Sequence, residues 1–161
     1  PNQQPPTGSP MQQAGSPTPQ AQPPQAWREV LMGLRVLAVD DEADFIETLV
    51  KRFTYRQIPV TAAGNGPDAL ALLEREPFDV VILDMRMPGM DGLAVLQEIK
   101  KRHPLVEVII LTGHASEESG MQGMSLGAYD YVLKPVDFGE LLEKAKKAYE
   151  RKKLNESRAD A

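Results

Sequence analysis

Cysteine is absent from the 161-residue chain. That excludes a disulfide framework, a thiolate zinc site and a cysteine nucleophile. Histidine is nearly absent: His103 and His114 stand apart, too few for a histidine-built metal cluster. No apolar run approaches the roughly 20 residues that span a bilayer, so membrane insertion is not expected. The amino end has neither the basic stretch nor the apolar stretch of a signal peptide, and a cytoplasmic location is expected. Positive charge is not in excess either. The net charge of −5 argues against direct nucleic-acid binding over the chain as a whole.

Charge of either sign is missing from residues 1–26, which are crowded with Pro and Gln. Such a segment buries too little apolar surface to offset its ordering entropy. It reads as a disordered tail or linker with polyproline II character, or as a Pro-rich ligand for another domain. The chain begins with Pro1 and reads as a piece of something longer. Residues 27–154 read as one folded domain, and residues 155–161 as a C-terminal tail without a DNA-reading helix.

From Trp27 onward short apolar runs alternate with helical patterns. Arg35 to Val39 leads into Asp40-Asp41, and Asp79 to Leu83 leads into Asp84. Glu107 to Leu111 leads into Thr112, and Tyr129 to Leu133 leads into Lys134. Ile58 to Ala63 is a weaker fifth run. Continuous rather than alternating apolar runs suit parallel strands covered on both faces. Phe45, Leu49 and Phe53 line one helix face, and Ala69, Leu70, Leu72 and Leu73 a second, opened by Gly66-Pro67. Leu93, Leu96 and Ile99 mark a third, stopped by His103-Pro104. A fourth from Ser116 to Leu126 is weakened by Gly120 and Gly123. A fifth runs from Phe138 to about Leu154. The order predicts an α/β fold, a doubly wound five-stranded parallel sheet with five helices. Ligands of such sheets bind at the carboxyl ends of the strands.

The polar residues fall at those ends. Asp40, Asp41, Asp84, Thr112 and Lys134 should converge there. Three close carboxylates repel, and a hard divalent cation with oxygen ligands, Mg²⁺, resolves the repulsion. Asp84 is then a carboxylate nucleophile of the acyl-phosphate kind. Lys134 supplies a point charge for phosphoryl oxygens and Thr112 a hydroxyl. Taken singly, each residue has a plainer reading: a helix cap for Asp41, an exposed lysine before proline, a threonine ending a strand. Their coincidence at four strand ends favours the joint reading. Neither G-x-x-x-x-G-K-[ST] nor G-x-S-x-G occurs.

The segments VLAVDDE at 36–42, VVILDMRMPGMDGL at 80–93, IILTGHAS at 109–116 and LGAYDYVLKP at 126–135 resemble the receiver domains of two-component response regulators. The resemblance covers roughly residues 34–154. It implies the flavodoxin-like strand order 2-1-3-4-5. It further implies a phosphohistidine donor, on a sensor histidine kinase or a histidine phosphotransfer protein. By the same resemblance, Asp84 is the phosphoacceptor. Asp40, Asp41, Asp84 and the backbone carbonyl of Arg86 hold Mg²⁺. Thr112 and Lys134 are the switch hydroxyl and the phosphoryl-binding lysine, and Tyr131 is the aromatic that reports phosphorylation. Its plainer reading is an edge-strand tyrosine. Arg86 and His114 flank the phosphoryl position and are candidates for tuning the lifetime of the acyl phosphate. Gly123 departs from what a helix interior favours, by about 1 kcal/mol relative to Ala.

The output is expected from the surface of the fourth helix, fifth strand and fifth helix, acting on a downstream protein partner or a fused output domain. A stand-alone receiver and the receiver part of a larger protein both remain open. An aspartyl-phosphate phosphohydrolase wants a second Asp two residues after its nucleophile, where this chain has Arg86.

Overall fold

The computed structural model describes Arg28 and residues 30–87, 91–113 and 118–160. Five strands and five helices alternate: β1 Val36–Val39, α1 Ala43–Tyr55, β2 Val60–Ala63, α2 Gly66–Arg75, β3 Val80–Asp84, α3 Gly92–Arg102, β4 Glu107–Thr112, α4 Glu118–Ser125, β5 Asp130–Leu133 and α5 Phe138–Asp160. All neighbouring strands are parallel, in the order 2-1-3-4-5 expected from the sequence. β1, β3 and β4 are buried along their whole length, which is why their sequences run apolar without alternation.

Strand alternation divides the core in two. Val36, Ala38, Ile82, Ile109 and Leu111 face α1 and α5, where Phe53 and Phe138 meet edge to face with centroids 4.9 Å apart. Leu37, Val39, Leu83, Met85, Val108 and Ile110 face α2 and α3, with Ala128 and Tyr131 packed on the same side. Local chemistry starts the helices. Asn65 Oδ1 accepts from the Asp68 N–H at 2.8 Å, Asp91 Oδ1 from Ala94 at 2.9 Å and Asp137 Oδ1 from Glu140 at 3.1 Å, each satisfying an orphan donor of the first turn. α4 ends at Gly127, whose φ of 105° only glycine adopts cheaply, and the Ala128 N–H closes back on the Gly123 carbonyl at 3.1 Å.

Ser116 and Glu117, where the sequence pattern begins the fourth helix, lie outside the described residues. One boundary among the described residues differs. The last helix does not stop near Leu154 but continues to Asp160, so residues 155–160 are helical turns. No Gly or Pro interrupts them, and ion pairs anchor the preceding turn. Arg151 grips the buried carboxylate of Glu107 through both Nε and Nη2, and Lys100 lies 3.7 Å from the same group. Lys152 Nζ donates to Asp79 Oδ1 at 2.8 Å and to Glu156 Oε2 at 2.9 Å. These clamps sit at the amino ends of β3 and β4.

Candidate functional site

The opposite ends of the same strands carry the acids. β1 leads into Asp40 and Asp41, and β3 ends in Asp84. Asp40 and Asp84 are buried, at 2% and 5% exposure, while Asp41 is open to solvent. One carboxylate oxygen from each lies within 4.8 Å of the others. The backbone holds two of these groups in place: the Glu42 N–H donates to Asp40 Oδ1 at 2.9 Å, and the Arg86 N–H to Asp84 Oδ1 at 3.1 Å.

β5 delivers the cation. Lys134 Nζ lies 3.2 Å from Asp40 Oδ2, 3.3 Å from Glu42 Oε1 and 3.6 Å from Asp84 Oδ2. The Phe45 ring lies beneath it, 5.1 Å from Nζ to the centroid, a cation–π contact. Burial alone would lower the pKa of Lys134, but Asp84 and Asp40 more than offset it and the pKa is raised. Burial pushes the carboxyl of Asp84 up to about 6. The Arg86 N–H opposes that rise, the Asp40 charge adds to it and Lys134 opposes it. A carboxylate held at this value is a group whose environment disfavours uncompensated charge. Three oxygen ligands of this kind, two of them buried, fit a hard divalent cation and not a soft one.

Of the other expected residues, Thr112 is buried at the end of β4, and its carbonyl accepts from the Lys134 N–H at 2.9 Å. In the β4–β5 register it lies opposite Leu133, and Ile110 opposite Tyr131. Tyr131 is half-buried on the face of the sheet that carries Ile110. Its carbonyl accepts from Lys144 Nζ at 2.7 Å, and the same amine sits 5.3 Å from its ring centroid. The Arg86 side chain is exposed beside the acids. His114 lies outside the described residues. Two participants escaped the sequence reading. Glu42 follows the acidic pair directly and faces Lys134. Phe45 reads as one more apolar residue of a helix stripe. The run Asp-Asp-Glu was the available signal for the first; the second has none in one dimension.

The chain matches a family model described as "Response regulator receiver domain" over residues 36–146. It is 39% identical over 109 residues to the response regulator protein PilR of Pseudomonas aeruginosa, covering 68% of this chain and 24% of that protein. It is also 39% identical over 118 residues to the DNA-binding transcriptional regulator NtrC of Salmonella typhimurium, covering 71% and 25%. The chain thus spans about a quarter of the length of these relatives. Among solved structures, a CheY-like receiver domain protein from Methanospirillum hungatei superposes with a TM-score of 0.72 at 30% identity, over 76% of this chain and 98% of that one. No described helix is long and apolar enough to cross a membrane. By sequence and by fold, the chain belongs to the response regulator receiver domains of two-component systems.

Proposed function

We propose that this receiver accepts a phosphoryl group from a phosphohistidine onto Asp84 in a Mg²⁺-dependent reaction, and that the modification switches the surface formed by α4, β5 and α5. The supporting observation is the meeting of Asp40, Asp41, Asp84 and Lys134 at one edge of the sheet. Asp40, Asp41, Asp84 and the backbone carbonyl of Arg86 would hold the metal, which when bound neutralises charge on the carboxylates and on the phosphoryl oxygens. An oxygen of the Asp84 carboxylate attacks phosphorus. The P–N bond of the donor breaks with its electron pair staying on the ring nitrogen, and the ring, already protonated on its other nitrogen, leaves as neutral imidazole. Phosphoryl transfer of this kind asks little of the protein beyond positioning and charge. The Arg86 N–H fixes the orientation of the Asp84 carboxylate, and the Lys134 amine stands ready for phosphoryl oxygens.

Thr112 and Tyr131 lie toward the same face of the sheet, because Thr112 is two residues after Ile110 and Tyr131 pairs with Ile110. A hydroxyl drawn toward a phosphorylated Asp84 would free space beside the Tyr131 ring, and α4 packs against β4 and β5, the strands that carry the two residues. The donor is a sensor histidine kinase or a histidine phosphotransfer protein, and the switched surface acts on a downstream protein or a fused output domain. Arg86 and His114 tune the lifetime of the acyl phosphate by shielding it. Arg86→Ala should shorten that lifetime by about several-fold, and an unchanged decay rate would remove Arg86 from this role.

Incubation with acetyl phosphate and Mg²⁺, followed by peptide mapping, tests the central reading. A hydroxylamine-sensitive phosphoryl group is expected on the peptide containing Asp84, lost when Mg²⁺ is chelated and lost in Asp84→Asn. Full labelling of Asp84→Asn at another residue would overturn the assignment.

A further inference from the structure

Gly92 and Gly123 frame a narrow slot, and the side chain of Met85 fills it. A Cβ placed on Gly92, the first residue of α3, would come 2.6 Å from Met85 Cα, 2.9 Å from Met85 Sδ and 3.1 Å from the Asp84 carbonyl oxygen. α3 therefore starts directly against the Asp84–Met85 peptide, and only glycine allows that approach. A Cβ on Gly123, in the middle of α4, would come 2.9 Å from Ile110 Cδ1 and 3.6 Å from Met85 Cε. The Met85 side chain thus runs from the base of α3 to the inner face of α4. Its own backbone is tied down, since the Met85 N–H donates to the Leu111 carbonyl at 3.2 Å, and the residue is 5% exposed. Asp84 in turn is tied to the next turn of chain by the Arg86 N–H.

From this geometry we infer that Met85 is a positioning residue that couples the Asp84 carboxylate to α4, alongside and separate from Thr112 and Tyr131. The inference rests on Asp84 being the modified residue. A group added to Asp84 alters the hydrogen bond that Oδ1 accepts from Arg86, and the peptide between them belongs to Met85. A shift there moves a side chain that has α3 on one side and α4 on the other. Close-packed neighbours transmit such a shift because no void absorbs it. α4 is the receptive partner. It is short, it contains glycines at 120 and 123, and Met121 and Met124 on it are exposed, so little packing opposes its movement. Gly123 then has a second reading beside helix weakening: its missing Cβ lets α4 approach Met85 and Ile110.

The test compares the 161-residue chain with Met85→Leu, which keeps a buried apolar side chain but lacks the terminal methyl that reaches Gly123. Beryllium fluoride with Mg²⁺ serves as the phosphoryl mimic. Its binding is followed by fluorine resonance, and amide exchange is followed over residues 118–131. Met85→Leu should bind the mimic as the parent does, while the mimic-induced change in exchange over α4 falls by about threefold or more. Ile99→Val, which removes one methyl from the same core without being a neighbour of Gly123, controls for general loosening and should keep the α4 response in full. A full α4 response in Met85→Leu with the mimic bound would overturn the coupling role. So would an equal reduction in Ile99→Val, because a general loosening of the core would behave that way. Failure of the parent to bind the mimic, or binding that survives in Asp84→Asn, would instead refute the reading of Asp84 itself.

Discussion

Lys134 Nζ stands 3.2 Å from Asp40 Oδ2 although the two residues are 94 positions apart in the chain. The same amine is 3.6 Å from Asp84 Oδ2, so one cation bridges two buried acids at the ends of the adjacent strands β1 and β3. It holds the charge balance of the metal-free pocket, and it stands where phosphoryl oxygens would need a partner.

Replacing Lys134 with Ala should therefore have two effects of opposite sign. Labelling of Asp84 by acetyl phosphate should slow by about 100- to 1,000-fold, the range for loss of one charge-stabilising donor. Mg²⁺ affinity should hold or rise, because a competing cation has gone from the acids. Labelling kinetics and calorimetry on one preparation check both effects. An unchanged labelling rate would show that Lys134 only balances charge.

Asp41 is the exposed member of the acidic group. Asp41→Ala removes one hard ligand and one negative charge while leaving the buried pair intact. Mg²⁺ affinity should fall by about tenfold or more. Calorimetry is the suitable readout, and equal affinity in the two proteins would exclude Asp41 as a ligand.

The raised pKa of Asp84 makes stability depend on pH in the absence of metal. Folded, the carboxyl titrates near 6; its ordinary value is 3.8. Between those values the folded protein holds more protons than the unfolded chain, so stability falls as pH rises through the window. Below pH 3.8 both forms are protonated and the penalty vanishes. Asp84→Asn should accordingly stabilise the metal-free protein by about 3 kcal/mol at pH 7 and by nearly nothing at the acid end. Urea unfolding in chelator across this range measures the difference. A stabilisation that does not grow with pH would exclude a buried, destabilised carboxylate.

Glu107 is 2% exposed and its charge is met mainly by Arg151. Removing one partner leaves a buried carboxylate whose remaining cation among the described residues is Lys100, at 3.7 Å. Arg151→Ala should cost about 2–4 kcal/mol of unfolding free energy. The double variant Glu107→Leu with Arg151→Met should recover most of the loss, since apolar replacement of a buried ion pair is often neutral. A double variant no better than the single one would place the cost in lost packing instead.

The fold was legible because parallel strands buried on both faces write themselves as uninterrupted apolar runs, and their polar terminal residues mark where ligands bind. Asp40, Asp84, Thr112 and Lys134 could be placed together on that basis alone. Contacts made across the fold were not legible. Phe45 under Lys134 depends on where the start of α1 meets the residue that follows β5, and no local pattern records it. Glu107 reads as the opening residue of a strand, and only its distance to Arg151 shows it to be half of a buried ion pair. Gly123 reads as a defect in a helix because its loss of helix propensity is local, while the close approach to Met85 and Ile110 that it permits is not. The length of α5 was underestimated for a similar reason: Asp79 and Glu107, which anchor it, are far away in sequence.

Those anchors turn α5 into a lever with its fulcrum at Arg151 and Lys152. The arm from the fulcrum to Phe138 is about 20 Å long, at 1.5 Å per residue, and its far end packs against Phe53 beneath the stacked guanidinium of Arg56. A tilt of about 5° would leave the clamped turn almost still and swing the Phe138 end by about 2 Å. The shorter arm, toward Asp160, would swing about two-thirds as far in the opposite direction. Small rotations at the loop that follows Lys134 would thus be read out at the other end of the molecule with reversed sense and reduced amplitude.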